Sequence, residues 1–192
     1  TFTNNGTLSL SSGAINPTIS FVQASGSFTI GSTATIGSTP LFTHTAGTVT
    51  LNTTQSISTT GTYTFTAGTL TLADGVTLNT GIFSSSNVNV RAIVFGSTTA
   101  GNINLTHTTA ATVVLSMADV TNFTHTGPGG FTVADMSNTR TFTFGTTGGS
   151  TITAANLTFT TGASVATLTT ASWFKNLNFG TTAFNPGTTT LN

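Results

Sequence analysis

The stretch TAGTVTLN at 45–52 is followed 21 residues later by a near copy, TAGTLTLA at 66–73. In both copies a glycine precedes a segment in which threonine alternates with valine or leucine. This alternation of polar and apolar residues is typical of a β-strand with one buried face. A strand that recurs after a short interval predicts a repeat architecture, in which each unit packs on the next.

The same alternation runs through the rest of the chain, with Gly, Asn and Pro between the segments. We therefore predict a single all-β domain, 1–192, without helices. The short interval favours a β-solenoid, a stack of short Thr-rich strands in which one repeat forms one coil. A β-sandwich or jelly roll with strand exchange between subunits is the alternative, because the other repeats are irregular. FGSTTAG (95–101), FGTTGGS (144–150) and FGTTAF (179–184) share a frame but not the interval of 21 residues.

The composition excludes several classes of function. Charged residues make up 3% of the chain, Glu is absent, and the formal net charge is zero. Nucleic acid is excluded as a partner because binding it needs a basic surface. The chain has no cysteine for disulfides or thiolate metal sites, and no apolar run approaches the roughly 20 residues of a membrane helix. With 51 Thr and 19 Ser, we expect hydroxyls, attached sugars or self-assembly to keep the chain in solution.

Two segments, NTRTFTFGTTGGSTITAANLTF (138–159) and ASWFKNLNFG (171–180), carry a resemblance to known proteins. They resemble the Thr/Gly-rich repeat proteins of bacterial surface fibres, adhesins and phage tail fibres, and are similar to subunits of environmental microbial filaments. The likeness covers most of the chain and implies an extracellular or cell-surface, elongated, structural protein. Adhesins of this kind usually carry more Asp, often for calcium, and this sequence departs from that pattern.

The three histidines share one local frame, Phe/Leu-Thr-His-Thr, in which His44, His107 and His125 each lie on the face of a large apolar residue. Three histidines could bind zinc, and the interval of 18 residues could stack His107 on His125. Such a site needs nearby acceptors to orient its rings, and carboxylates are nearly absent. We predict no metal and no other cofactor. The histidines are interpreted as semi-buried fillers of a repeated strand, bonded to a hydroxyl or a carbonyl group.

The acidic residues are too few for a catalytic cluster, and no catalytic residue is predicted. Asp74 lies in the sequence Ala-Asp-Gly, which favours a turn. Asp119 and Asp135 could approach each other, as glycoside hydrolysis would require, but ion pairs with a cation are the simpler expectation. The cations are Arg91, Arg140 and Lys175. No nucleophile elbow or phosphate-binding loop occurs, so the chain is predicted not to be an enzyme.

Two sets of surface residues are predicted. The sequon Asn-x-Ser/Thr gives the candidate sites for covalent glycans, which are Asn5, Asn52, Asn104, Asn122 and Asn156. Segments 1–10 and 188–192 read as uncharged strands and are candidates for strands shared between subunits. The candidate interface residues are Phe2, Leu8, Leu10, Trp173, Phe174 and Leu191.

The sequence therefore predicts a structural subunit that self-assembles head to tail into an extracellular filament or surface fibre. Its partners would be copies of itself, joined by main-chain hydrogen bonds and apolar contacts. The alternative is a glycan-binding adhesin or phage tail-fibre segment, for which Trp173 and Tyr63 are the aromatic candidates.

Overall fold

The computed structural model describes residues 1–37, 39–57, 60–109, 112–133, 140–147, 156–159, 165–168, 176–178 and 183–185. These residues form β-strands and no helix. The first strands are β1 (Phe2–Asn4), β2 (Thr7–Ile15), β3 (Phe21–Gln23), β4 (Ser27–Ile36), β5 (Leu41–His44), β6 (Thr48–Leu51) and β7 (Gln55–Ser56). The next are β8 (Thr62–Phe65), β9 (Gly68–Leu72), β10 (Thr77–Thr80), β11 (Ile82–Ser84), β12 (Arg91–Phe95), β13 (Asn102–Leu105) and β14 (Thr112–Asp119). The last are β15 (Phe123–Thr126), β16 (Gly130–Val133), β17 (Arg140–Thr147), β18 (Asn156–Phe159), β19 (Val165–Leu168), β20 (Asn176–Asn178) and β21 (Ala183–Asn185).

The strands form three parallel sheets that wind into a β-solenoid. Sheet 1 has nine strands in the order β1-β3-β5-β8-β11-β14-β17-β19-β21. Sheet 2 has the order β2-β4-β6-β9-β12-β15, and sheet 3 has the order β7-β10-β13-β16-β18-β20. Every strand therefore pairs with the strand one coil further along the chain. This confirms the predicted all-β solenoid rather than the antiparallel sandwich.

The repeat at 45–52 and 66–73 sets the register between β6 and β9 in sheet 2. Thr48 aligns with Thr69 and Leu51 with Leu72, so the copies at 45–52 and 66–73 lie directly one above the other. The valine and leucine of β6 and the two leucines of β9 point into the core, while the threonines of both strands lie half-buried on the outer face. One strand of each coil thus repeats the environment of the strand before it, which is why its sequence repeats.

The other predicted repeats do not stack, because the coils lengthen after β9. Arg91 aligns with Gly68, but Phe123 aligns with Arg91, 32 residues later. The stacking of His107 on His125 that their spacing would allow does not occur, because His125 belongs to sheet 2 whereas His107 follows β13 of sheet 3. Likewise, the FG motif at 95 lies in sheet 2 and the one at 144 in sheet 1. Most of the third motif, 179–184, lies outside the described residues.

A column of aromatic rings runs along the inner face of sheet 1. Phe2 stacks on Phe21 with ring centroids 5.2 Å apart, and Phe21 on Phe42 at 4.7 Å. Phe42 stacks on Tyr63 at 4.8 Å, and Tyr63 on Phe83 at 5.5 Å. Offset stacked pairs of this kind each add about 0.5–1.5 kcal/mol beyond the burial of their surface. The column fixes the alignment of the first five coils.

A column of glycines marks the corner between sheets 1 and 2. Gly26, Gly47 and Gly68 have φ angles of +70°, +79° and +98°, in the left-handed region that disfavours a side chain. A Cβ at Gly47 would also lie against the carbonyl oxygen of Gly26, far inside van der Waals contact. Successive coils can turn tightly at this corner only because none of the three positions carries a side chain.

We predict that Gly47→Ala lowers the free energy of unfolding by about 3 kcal/mol or more, since it adds left-handed strain to a steric clash. Gly6→Ala is the matched control, because a Cβ at Gly6 meets nothing within 4 Å, and its effect should stay within about 0.5 kcal/mol. Thermal or urea unfolding of the two variants measures the difference. Equal stabilities would contradict the packing assigned to this corner.

Candidate functional site

His44 is fully buried at the inner end of β5, next to the aromatic column. Its ring stacks on Phe65 with centroids 4.8 Å apart. Nε2 lies 3.1 Å from the carbonyl oxygen of Gly47, and Nδ1 lies 3.1 Å from the hydroxyl of Tyr63. Since a carbonyl oxygen only accepts, the Nε2–H donates to Gly47 and Nδ1 accepts from the Tyr63 hydroxyl. His44 is therefore a neutral core residue with both nitrogens satisfied.

Burial shifts the pKa values of both His44 and Tyr63, the two partners of the hydrogen bond at Nδ1. Loss of hydration lowers the pKa of His44 to about 4, although the backbone at Gly47 and Ala46 partly opposes the shift. Burial also raises the pKa of the Tyr63 hydroxyl well above its ordinary value. Both groups are consequently uncharged at neutral pH. The burial of Tyr63 also removes one of the two aromatic candidates for a sugar-binding platform, and Trp173 lies outside the described residues.

The other histidines occupy different environments. His125 is buried, and its Nε2 lies 3.1 Å from the carbonyl oxygen of Gly129. His107 is partly exposed, and its Nδ1 accepts from the N–H of Thr109 at 3.2 Å. Within the described part of the chain, no group of three or more His, Cys or acidic residues could hold a metal ion. The interpretation of the histidines as fillers bonded to a hydroxyl or carbonyl is confirmed for His44 and His125, which are buried rather than semi-buried.

A buried arginine organises the first long insertion between strands. Arg91 at the start of β12 is fully buried, and its guanidinium faces the carbonyl groups of the segment 85–90. Nη1 donates to the carbonyl oxygens of Asn87 and Asn89, both at 2.6 Å, and Nη2 donates to that of Asp119 at 2.8 Å. The guanidinium carbon lies 5.8 Å from the centroid of the Phe123 ring. Carbonyl dipoles and the face of an aromatic ring thus replace the water around the two Nη groups, while Nε is buried without a partner among the described residues.

The two described carboxylates have structural roles. Asp74 lies in the predicted turn, and the N–H of Thr98 donates to its Oδ1 at 3.0 Å, which lowers the pKa of Asp74. The N–H of Thr121 donates to Oδ1 of Asp119 at 2.9 Å and lowers the pKa of Asp119. The guanidinium of Arg91 donates a hydrogen bond to the main-chain carbonyl of Asp119. Burial lowers the pKa of Arg91, and the negative charge of the Asp119 carboxylate, which forms no hydrogen bond with Arg91, opposes this shift. The side chains of Asp135, Arg140 and Lys175 lie outside the described residues.

The candidate glycosylation sites differ in accessibility. Asn5, Asn52 and Asn122 are exposed. Asn104 lies half-buried on β13, and its side-chain amide donates to Oδ1 of Asn79 at 2.9 Å. Asn104 is therefore engaged in a ladder of amides on sheet 3, which makes it a poor acceptor for a sugar. The side chain of Asn156 on β18 lies outside the described residues.

The predicted interface residues near the start of the chain lie on edge strands. β1 and β2 are the terminal strands of sheets 1 and 2. Phe2 is 38% exposed, although its ring stacks on Phe21. Leu8 and Leu10 are partly buried and pack against the core. Trp173, Phe174 and Leu191 lie outside the described residues, as does segment 188–192.

Sequence reasoning missed the role of Arg91 as an organiser of main-chain carbonyls. The signal was present: a lone arginine follows the polar run SSSNVNV at 84–90 and precedes the apolar strand AIVF. An arginine at the start of a buried strand has to find acceptors. A run of Asn and Ser just before it supplies a loop whose carbonyl groups can turn inward.

We predict that acid destabilises the protein through His44. The pKa of His44 is 6.5 when unfolded and about 4 when folded, so protons bind more readily to the unfolded state. The free energy of unfolding is then independent of this group above pH 6.5, and falls by about 3 kcal/mol as the pH drops from 6.5 to 4. Urea unfolding at several pH values measures the fall.

His44→Phe keeps the stack on Phe65 and should flatten that part of the pH profile. His107→Gln, at a partly exposed position, is the control and should retain the slope of the parent protein. A His44→Phe variant with the parent's slope would show that another group causes the acid sensitivity.

We predict that Arg91→Met lowers the free energy of unfolding by at least about 3 kcal/mol, because several buried carbonyl groups lose their donor. Arg91→Lys keeps the charge but offers one compact ammonium instead of a planar fork, so its effect should be intermediate. Hydrogen exchange at the amide of Asn87, which donates to the carbonyl of Asp119 at 3.2 Å, reports on the segment. Unchanged exchange in Arg91→Met would show that the segment is ordered by other contacts.

The chain has to be understood from its own residues. No protein-family model, curated protein or solved structure matches it. Among the described residues, no helix is long and apolar enough to cross a membrane. The parallel stacking of coils, the low charge of the sequence and the edge strands are therefore the features from which a function can be inferred.

Proposed function

We propose that this chain is a structural subunit that self-assembles head to tail into an extracellular fibre. One observation carries the proposal: β1 and β21 lie at opposite edges of the same parallel sheet. A copy displaced along the solenoid axis places its β21 beside β1 of the next copy, with both strands running in the same direction. Such a contact is heterologous and does not close, so it generates an open polymer.

The main chain of β1 has hydrogen-bonding capacity on its outer side. The N–H of Phe2 donates to the carbonyl of Ser20, and the carbonyl of Asn4 accepts from the N–H of Ala24, both at 2.9 Å. Successive residues of a strand direct these groups to opposite sides, so Thr3 directs its N–H and C=O away from β3. An added strand would use these two groups, as β3 uses those of Phe2 and Asn4.

At the β1 and β2 end of the solenoid, apolar side chains of the interior stay partly exposed, and a further coil could cover them. The ring of Phe2 covers Phe21 and leaves its other face as the end of the aromatic column. In sheet 2, Leu8 covers Phe28 and Leu10 covers Ile30, and both leucines are only partly buried. A copy stacked on this end would bury the remaining surface at about 25 cal/mol per Å² of apolar area.

The low charge of the chain supports the same proposal. Segments 1–20 and 176–192 contain no Asp, Glu, Lys or Arg. Coils joined at these ends would meet without repulsion and without the cost of removing water from a charge. Outward threonines and serines, or sugars on exposed sites such as Asn52, would keep the fibre hydrated.

Thr3→Pro tests the assembly edge. Proline removes the outward N–H of β1 but leaves the bonds from β1 to β3 in place, because proline is tolerated where the N–H of an edge strand faces solvent. Thr3→Val is the matched control, since it keeps the main-chain N–H and the shape of the side chain. We expect long fibres from the parent chain and Thr3→Val, and short or single particles from Thr3→Pro, in electron micrographs of native material.

The same samples are compared by sedimentation, which measures the polymerised fraction in solution. Two outcomes would overturn the proposal. The parent chain could stay monomeric at high concentration, or Thr3→Pro could polymerise as well as Thr3→Val. Thermal unfolding of the Thr3→Pro monomer shows separately that the fold is retained.

A further inference from the structure

The outer face of sheet 2 carries a regular grid of hydroxyl groups. Three consecutive strands, β4, β6 and β9, contribute one residue to each of two columns. Ser27, Thr48 and Thr69 form one column, and Thr29, Thr50 and Thr71 form the other. β2 adds Thr7 and Ser9 in the same register. We call these eight residues the hydroxyl array.

The positions within the hydroxyl array are set by the main chain. Neighbouring parallel strands lie about 4.8 Å apart, and residues two apart along a strand lie about 6.6 Å apart. The only register shift between β2 and β4 falls between Leu10 and Ser12, beyond the array. The array ends at β12, where Ala92 aligns with Thr69 and Val94 with Thr71.

The hydroxyls of the array are free for an external partner. No hydrogen bond within the described residues uses any of these eight side-chain oxygens, whereas the hydroxyls of Thr33 and Thr80 are bonded internally. Thr33, for example, donates to the carbonyl of Ser11 at 3.0 Å. The array contains no charged residue and no aromatic ring, and it is held from behind by fully buried Phe28, Val49 and Leu70.

We propose that the hydroxyl array binds the surface of ice. Oxygen atoms on an ice surface repeat in two directions at intervals close to those of the array, so each row of hydroxyls can meet a row of lattice oxygens. The lattice is neutral, which matches a face without charges and avoids the cost of desolvating an ion. The rigid main chain fixes the rows before contact, so little ordering entropy is lost on binding.

The methyl groups of the threonines add to this match. Water held between two methyl columns keeps its hydrogen bonds to other water molecules and to the hydroxyls, and bridging water is nearly as favourable as a direct bond. A soluble sugar chain is a poorer partner for this face, because sugars are commonly recognised by stacking on an aromatic ring, and the array offers none. Each further row adds contacts without further orientational cost, as in multivalent binding.

Partition into growing ice tests the proposal. A dilute solution of the chain is frozen slowly from a seeded surface, and the protein in the ice is compared with that in the remaining liquid. We expect the parent chain to be enriched in the ice. Thr50→Lys, in the middle of the array, should lower the enrichment about tenfold or more, which corresponds to a loss of about 1.4 kcal/mol.

Thr64→Lys is the matched control, because Thr64 is also half-buried on an outer face but belongs to sheet 1, aligned with Thr43 and Ser84. It should behave as the parent chain. Thr50→Val removes only the hydroxyl and should also lower the enrichment, which covers the case in which Thr50→Lys folds poorly. Thr3→Pro leaves the array intact, so its enrichment separates ice binding from fibre assembly.

Three results would overturn the proposal. The parent chain could be excluded from ice like an ordinary globular protein of its size. The two lysine variants could lower the enrichment equally, which would make the array irrelevant. The chain could bind crystalline cellulose but not ice, which would assign the face to a polysaccharide lattice.

Discussion

Parallel main-chain pairing between successive coils is the constraint on which the rest of this structure depends. Each strand hydrogen-bonds to the strand one coil away, so each residue of a paired strand lies above its partner in the previous coil. A side chain is compatible with this arrangement only if it can pack against its own counterpart. Flat rings meet this requirement in the column from Phe2 to Phe83, and glycine meets it at the corner marked by Gly47.

The buried polar side chains His44 and Arg91 find partners in their own coil and in the next one, although Nε of Arg91 is buried without a partner in the described part of the chain. His44 bonds to Tyr63 in the next coil and to Gly47 in its own. Arg91 stands where the coils lengthen, and it binds the main-chain carbonyls that a longer loop turns inward. Such a loop can be inserted because the buried guanidinium supplies several donors at one point. Arg91, one of the few charged residues of the chain, therefore lies in the core.

The outer surface shows the other consequence of in-register stacking. Because alternate residues point outward, the repeated Thr-x-Thr segments form straight columns along sheet 2. The same translation that aligns these columns also leaves β1 and β21 at opposite edges of sheet 1. A proposed fibre and a proposed lattice-binding face thus arise from one geometric property, but they use different residues.

The sequence by itself determined the strands, their buried faces and, from 45 to 73, their register, because alternation and a repeat of 21 residues are local properties. It also placed His44 and His125 on the apolar face of their strands, since each lies two residues after a phenylalanine. Only the tertiary structure decided which sheet receives each strand after β9, because an insertion can lengthen a coil at any corner without changing the local pattern. For that reason His107 and His125 share a sequence frame but not a sheet, and the carbonyl groups that Arg91 binds were decided only by the fold of the segment 85–90 around it.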